Sequence, residues 1–427
     1  MKTRVVTWLL MLWSAWARAQ VSTVGEVIVV PDTAGSIHQR VMGFGLPGLT
    51  PAQGLACQDA SRAALGVLAD EYDFLVVFLS EQVTGPSNVP SFQQARLTAQ
   101  NIGQNPLLND GAPFGSRAKL KGCVFMGSTL RLPLDPDAIV GDLGSGPLGM
   151  TAIEAVGHEV GHAWLVGADY DLDTGGGKME DLRSGDRHYH PRVDSRSVMF
   201  GGCIDPLGAD LFRVSGCPRK YNSMDQYFMG LVPPADVEPL LLVWGQGSND
   251  PPLPLAPTAA PVTIMGSERR VGIDAVIRHM GLRAPAFPAT QRCFRTGFVY
   301  VARTAPTPEA LMKVDAYRRR FESWFSWASD RHGFVDTRAV GMGCLVPAPD
   351  AGVVVDAGTM EVTDAGVEAD AGTPGDGVDA GTERVGPPPE RIENQQLRPG
   401  CGCTSVEASF GLWALGLCFR RLRRHDS

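Results

Sequence analysis

Few stretches constrain a chain as tightly as "TAIEAVGHEVGHAWLVGADY", which begins at Thr151. Thr151 and Glu154 stand in the T-x-x-E relation of a capping box, which predicts a helix starting at Thr151. Ile153, Val156, Val160 and Trp164 follow at spacings of three and four and give that helix one buried stripe. His158 and His162 lie one turn apart on a different face, where two imidazoles can reach one metal ion. Glu159 then projects beside the ion, placed to take a proton from a water molecule. Gly157 and Gly161 each cost up to about 1 kcal/mol in a helix interior. Their expected use is to let another backbone pack close to the histidines.

A catalytic zinc needs a third protein ligand and one open position. The short completion His-x-x-Gly-x-x-His fails here, because Leu165 stands at its glycine and Ala168 at its last histidine. Four residues compete for the role. His188, in "SGDRHYHPRVDSRSVMFGG", is favoured, since a loop histidine followed by Met199 in a turn of small residues resembles the metzincin order of third ligand and then methionine turn. Asp225, in "YNSMDQYFMGLVPP", is the second choice, although it also reads as a helix cap. His190, which precedes Pro191, and Asp169, just past the helix, are the others. Tyr227 reads as a core aromatic or as a donor to an oxyanion. His38, His279 and His332 stand alone among unrelated segments and read as ordinary surface or core histidines.

The segment after the helix resembles a group of secreted bacterial HExxH proteins that carry a His-aromatic pair, then S-V-M, then "YSxLDQYLMGLxPP". The matching residues are His188 with Tyr189, Ser197 to Met199, and Tyr221 to Pro234. The likeness runs from about Tyr72 to Asp336, through "YDFLVVFLS", "GSRAKLKGCVFMG" and "RRRFESWFSWASD". It implies an α+β, zincin-like and metzincin-like domain with a twisted sheet beside the HExxH helix. It also implies a Zn2+ ion above a methionine turn and a protein or peptide substrate laid along an edge strand. On that resemblance His158, His162 and His188 are the ligands and Glu159 is the general base of a metal-activated water.

The remainder of the chain bears on location. Residues 1–19, "MKTRVVTWLLMLWSAWARA", read as a secretory signal peptide: two basic residues, a short apolar run, then small residues. Six cysteines, Cys57, Cys123, Cys203, Cys217, Cys293 and Cys344, then predict three disulfides in an oxidising compartment, with Cys203 and Cys217 close enough for a local clip. Residues 346–399 repeat Asp-Ala-Gly at irregular spacing with almost nothing large to bury, which predicts a disordered acidic linker rather than calcium loops of fixed period. Residues 400–427 place Cys401 and Cys403 before an apolar stretch and an arginine cluster. That order resembles the myxobacterial C-terminal sorting signal MYXO-CTERM. The resemblance implies sorting and processing machinery as a partner, membrane contact through this segment alone, and a protein held at the cell surface or released from it. The formal net charge of −8 and the lack of a basic stripe argue against nucleic acid as a partner.

Between these ends, residues 20–345 form the expected catalytic domain, with a possible subdomain seam in the Pro-rich 249–261. "GEVIVVPD", "DFLVVFLS" and "KGCVFMG" predict strands ahead of the histidine helix. "GSERRVGIDAVIRHMGLRAP" predicts a strand and a short helix, and "TGFVYVAR" a further strand. A long helix is expected from about Thr307, packed by Phe321, Trp324, Phe325 and Trp327. The reading is an exported zinc endopeptidase. Its rival is a surface binding or adhesion protein on the same scaffold without proteolytic activity, which the intact Glu159 disfavours.

Overall fold

The computed structural model describes residues 20–42, 52–82, 89–102, 108–141, 149–164, 169–171, 179–181, 188–244, 256–341 and 344. The stretches read from sequence as signal peptide (1–19), linker (346–399) and sorting segment (400–427) lie outside the described residues, as does residue range 249–255 of the expected seam.

Four of the most apolar runs make the centre of one sheet. In sheet order, Val27–Pro31, Cys293–Ala302, Phe74–Leu79 and Gly122–Ser128 lie parallel to one another. Antiparallel strands flank them: Ser22–Val24 beyond the first and Ser91–Gln94 beyond the last. A short strand, Phe334–Asp336, pairs with the start of Cys293–Ala302. Parallel strands covered on both faces read as unbroken apolar runs, and Phe74–Leu79 (FLVVFL) and Cys293–Ala302 are buried at every position.

Successive side chains leave a strand on opposite faces. Phe74, Val76 and Phe78 therefore join a core with Val124, Phe298 and the helices Ala152–Gly161 and Pro308–Ala328. Leu75, Val77 and Leu79 join a second core with the helices Ser36–Met42 and Ala52–Leu65 on the other face. The late strand Cys293–Ala302 sits between two early ones, so the first and last thirds of the described chain share one sheet.

A second sheet orders Val262–Met265, Leu211–Ser215, Phe200–Gly208, Tyr189–Asp194, Leu240–Trp244 and Ser267–Val271. Its two edge strands are consecutive in sequence and meet at Gly266, so the sheet curls around a small core of Ile204, Phe212, Val214, Leu241, Val243 and Ile264. Both the expected strand Ser267–Val271 and the expected helix Ile273–Met280 form.

The structure is thus mixed α and β with several sheets, and its three disulfides pair Cys57 with Cys123, Cys203 with Cys217 and Cys293 with Cys344. Such bonds suit an extracellular protein. No helix among the described residues is long and apolar enough to cross a membrane.

Three local expectations change. The histidine helix is buried at all ten positions instead of along one stripe, because the sheet, the long helix and the second sheet's lead-in enclose it. Trp327 is 48 % exposed; Phe321, Trp324 and Phe325 alone of that aromatic set pack the long helix, which Thr307 caps. Gly157 admits an indole, not a backbone: a Cβ there would lie 2.0 Å from a ring carbon of the buried Trp324. Gly157→Ala is therefore expected to destabilise the protein by about 3 kcal/mol, the upper end for overpacking, despite alanine's better helix propensity. The shift of the urea midpoint measures it, and Trp324→Leu in the same background should recover part of the loss.

Candidate metal centre

The capping box forms as the sequence predicts. Thr151 Oγ1 accepts from Glu154 N at 3.2 Å, and Glu154 Oε2 accepts from Thr151 N at 2.8 Å. Glu154 also accepts from Arg219 N at 3.1 Å, which ties the start of the helix to the chain that leads into Ser223–Met229. At the other end the helix presents His158 and His162, with ring centroids 4.8 Å apart.

His188 closes on this pair from the lead-in to Tyr189–Asp194. Its Nε2 stands 3.0 Å from His158 Nε2, and ligand nitrogens of His158, His162 and His188 all lie within 4.8 Å of one another. Tetrahedral zinc at about 2.0–2.1 Å from each nitrogen needs them roughly 3.3 Å apart, so small ring movements admit an ion. His158 Nδ1 donates to the Val198 carbonyl at 2.7 Å, which leaves Nε2 as the unprotonated nitrogen facing the other rings. With His158 Nε2 held as an acceptor, its close approach to His188 Nε2 needs a proton or a cation between them. The three histidines form a group able to hold a metal ion.

The turn Ser197 to Phe200 supplies the floor. Met199 is fully buried, but the ring that meets the imidazoles is that of Phe200, 4.4 Å from His158 and 4.3 Å from His188 between centroids, nearly parallel to both. Phe200 adopts φ 70°, a left-handed conformation that costs about 1–2 kcal/mol for an L-residue. Ser195 Oγ holds it there by donating to the Phe200 carbonyl at 2.5 Å.

Glu159 is 6 % exposed and lies near the backbone N–H of Phe92 on the edge strand Ser91–Gln94. Burial pushes its carboxyl up to about 8, with the Phe92 N–H opposing the rise. A divalent cation on the neighbouring imidazoles would oppose it further.

No known protein family, curated protein or solved structure matches this chain. The site therefore rests on its own residues.

The competing candidates occupy other positions. Asp225 is fully buried as the N3 residue of a capping box on Ser223–Met229, with Asn222 as N-cap. Its carboxylate accepts from Tyr189 Oη at 2.9 Å, from Ser197 Oγ and from Asn222 N at 3.3 Å. It thus fastens the two segments that carry His188 and the Val198 carbonyl. His190 Nδ1 accepts from Arg192 N at 3.3 Å, and His190 is not one of the three clustered residues. Asp169 opens a short strand, Asp169–Asp171, paired with Met179–Asp181; its side chain lies outside what the structure describes. Tyr227 is a core aromatic whose hydroxyl accepts from Arg283 N at 3.0 Å.

Of the isolated histidines, His38 bridges Asp32 at 2.7 Å and Ser80 at 3.3 Å, His332 meets Gln226 at 2.6 Å, and His279 rides on Ile273–Met280. The Phe92 N–H, the Val198 carbonyl and the Phe200 ring have no sequence signal of their own. Each reaches the histidine helix through a fold contact many residues distant.

Proposed function

We propose that the protein is a zinc-dependent endopeptidase, exported and held at the cell surface by its C-terminal segment. The observation that carries the reading is the convergence of three buried or half-buried imidazoles on one point, with Glu159 adjoining them in sequence. Three nitrogen donors and no carboxylate in the group favour zinc over calcium or magnesium, which prefer oxygen. His158, His162 and His188 would hold the ion. When bound, zinc supplies Lewis-acid polarisation of a carbonyl and lowers the pKa of water.

The chain's own groups do the rest. Glu159 takes a proton from the attacking water onto its carboxylate and delivers it to the nitrogen of the leaving amine. The Phe92 N–H nearby favours the charged form of the carboxylate that does so. The Val198 carbonyl fixes the tautomer of His158. Substrate backbone would add to the outer side of Ser91–Gln94, the last strand of its sheet, which places a peptide bond near Glu159.

The test is to purify the full chain, measure bound metal, and follow hydrolysis of an unfolded protein substrate before and after chelation. About one zinc per chain is expected, with hydrolysis lost on chelation and restored by zinc. Absence of zinc binding overturns the metal centre. Zinc binding without hydrolysis transfers the chain to the binding-protein reading.

A further inference from the structure

Beside the end of the histidine helix lies a cavity of about 140 Å³. Ala163 and Trp164, the two residues after His162, form part of its wall. Gln94 of the edge strand closes the corner, with Nε2 donating to Ala163 O at 3.2 Å and to Arg96 O at 3.1 Å. The cavity thus begins where the two elements that frame Glu159 end.

Its chemistry is one-sided. Arg96, Lys121 and Arg283 line it, no acidic residue among the described ones does, and Trp164 and Phe294 supply an aromatic wall with centroids 4.9 Å apart. Arg283 is only 6 % exposed, yet among the described residues its guanidinium donates to neutral carbonyls alone: Phe228 O at 2.7 Å, Met229 O at 3.3 Å, and Pro285 O. Arg96 likewise meets the side-chain oxygen of Asn109 at 2.8 Å and the carbonyls of Leu120 and Arg117. Lys121 Nζ stands 3.4 Å from Asp73 Oδ1, but that carboxylate also serves Gln291 Nε2 and Arg295 N, both at 2.8 Å.

A buried guanidinium without a counter-ion is costly. The carbonyls at the end of Ser223–Met229 offset part of that cost as dipoles; they bring no net charge. Burial pushes Arg283 down to about 10, as expected of a cation that lacks an anion. An anion with a short apolar stem would satisfy both the charge and the aromatic wall.

We propose that this cavity is a subsite for a substrate carboxylate, with Arg283 as its principal cation and Lys121 as the second. The carboxylate is either the side chain of an acidic residue or the C-terminus of a peptide. The inference rests on the peptidase reading for the identity of its ligand, and the cavity is tested apart from catalysis.

The experiment uses the full chain stripped of metal and follows Trp164 fluorescence, with Trp164→Phe assigning the signal. The probes are N-acetyl-glutamate α-amide for the side chain, N-acetyl-glycine for the terminus and N-acetyl-glutamine α-amide as the neutral control. Saturable binding of one carboxylate is expected, at least about tenfold tighter than the control and weakened about tenfold in Arg283→Gln. Lys121→Gln, whose side chain is partly exposed, should weaken it severalfold and guards against a folding defect in the first variant. The zinc form should then prefer peptides with glutamate over glutamine at one position, or peptides with a free C-terminus over amidated ones, according to which probe binds. Carboxylate binding without peptide hydrolysis upholds the cavity and removes the peptidase. Hydrolysis with no carboxylate binding and no such preference overturns the cavity and leaves the peptidase standing.

Discussion

Glu159→Gln is expected to leave the bound zinc at wild-type level and to lower peptide hydrolysis by about 10²–10⁴-fold, the span over which a positioned acid–base group contributes. Glutamine keeps the size of the buried side chain, so the local packing survives. What it loses is the ability to take a proton from water and return it to the leaving amine. The loss should appear in kcat more than in KM, because the proton is in flight only in the transition state. Phe92 makes a useful contrast: its contribution is a backbone N–H, so Phe92→Ala should retain it and cost far less. Equal hydrolysis by Glu159→Gln and wild type would sink the enzyme reading, whatever the metal content.

The sequence marked some of this site clearly and left the rest unmarked, for physical reasons. Helix capping is local, so Thr151 and Glu154 announce the start of the histidine helix, and the i, i+4 spacing of His158 and His162 follows from one helical turn. Apolar runs such as Phe74–Leu79 announce strands in the same way. Sheet order is not local. Nothing in "CFRTGFVYVA" states that it slots between Val27–Pro31 and Phe74–Leu79, although its apolar run "FVYVA" fits a central parallel strand, and the structure buries it at every position.

The same distinction separates Gly157 from Trp324. A glycine inside a helix signals a close approach, but whether a backbone or a ring approaches depends on a helix some 165 residues later. Arg283, in "GLRAP", carries no pattern at all; it acquires meaning only from burial with no carboxylate of the described residues bonded to it.

The third ligand is where sequence leaves several answers, and it makes the second strong prediction. His188→Ala is expected to weaken zinc binding by at least about a hundredfold, since it removes one of three protein ligands of a catalytic-type site. Asp225→Asn should retain one zinc per chain and weaken it about 10- to 100-fold, the usual cost of losing a group that orients a ligand. The difference follows from what Asp225 touches. Its two oxygens accept from Tyr189, adjacent to His188, and from Ser197, adjacent to Val198, whose carbonyl holds His158.

An asparagine offers one oxygen and one NH2 group there. It can keep the Tyr189 bond, but it then turns a donor toward the Asn222 N–H and disturbs Ser197, whose hydroxyl also accepts from Met199 N at 2.9 Å. The histidine-bearing segments loosen while all three imidazoles remain. Competition titration with a chelator reads both affinities, and Co2+ substitution reports whether the coordination sphere itself has changed. Were Asp225 a ligand, the order would invert: Asp225→Asn would strip the metal and His188→Ala would keep it. His190→Ala is the control, and a wild-type affinity there assigns the site to the three clustered histidines.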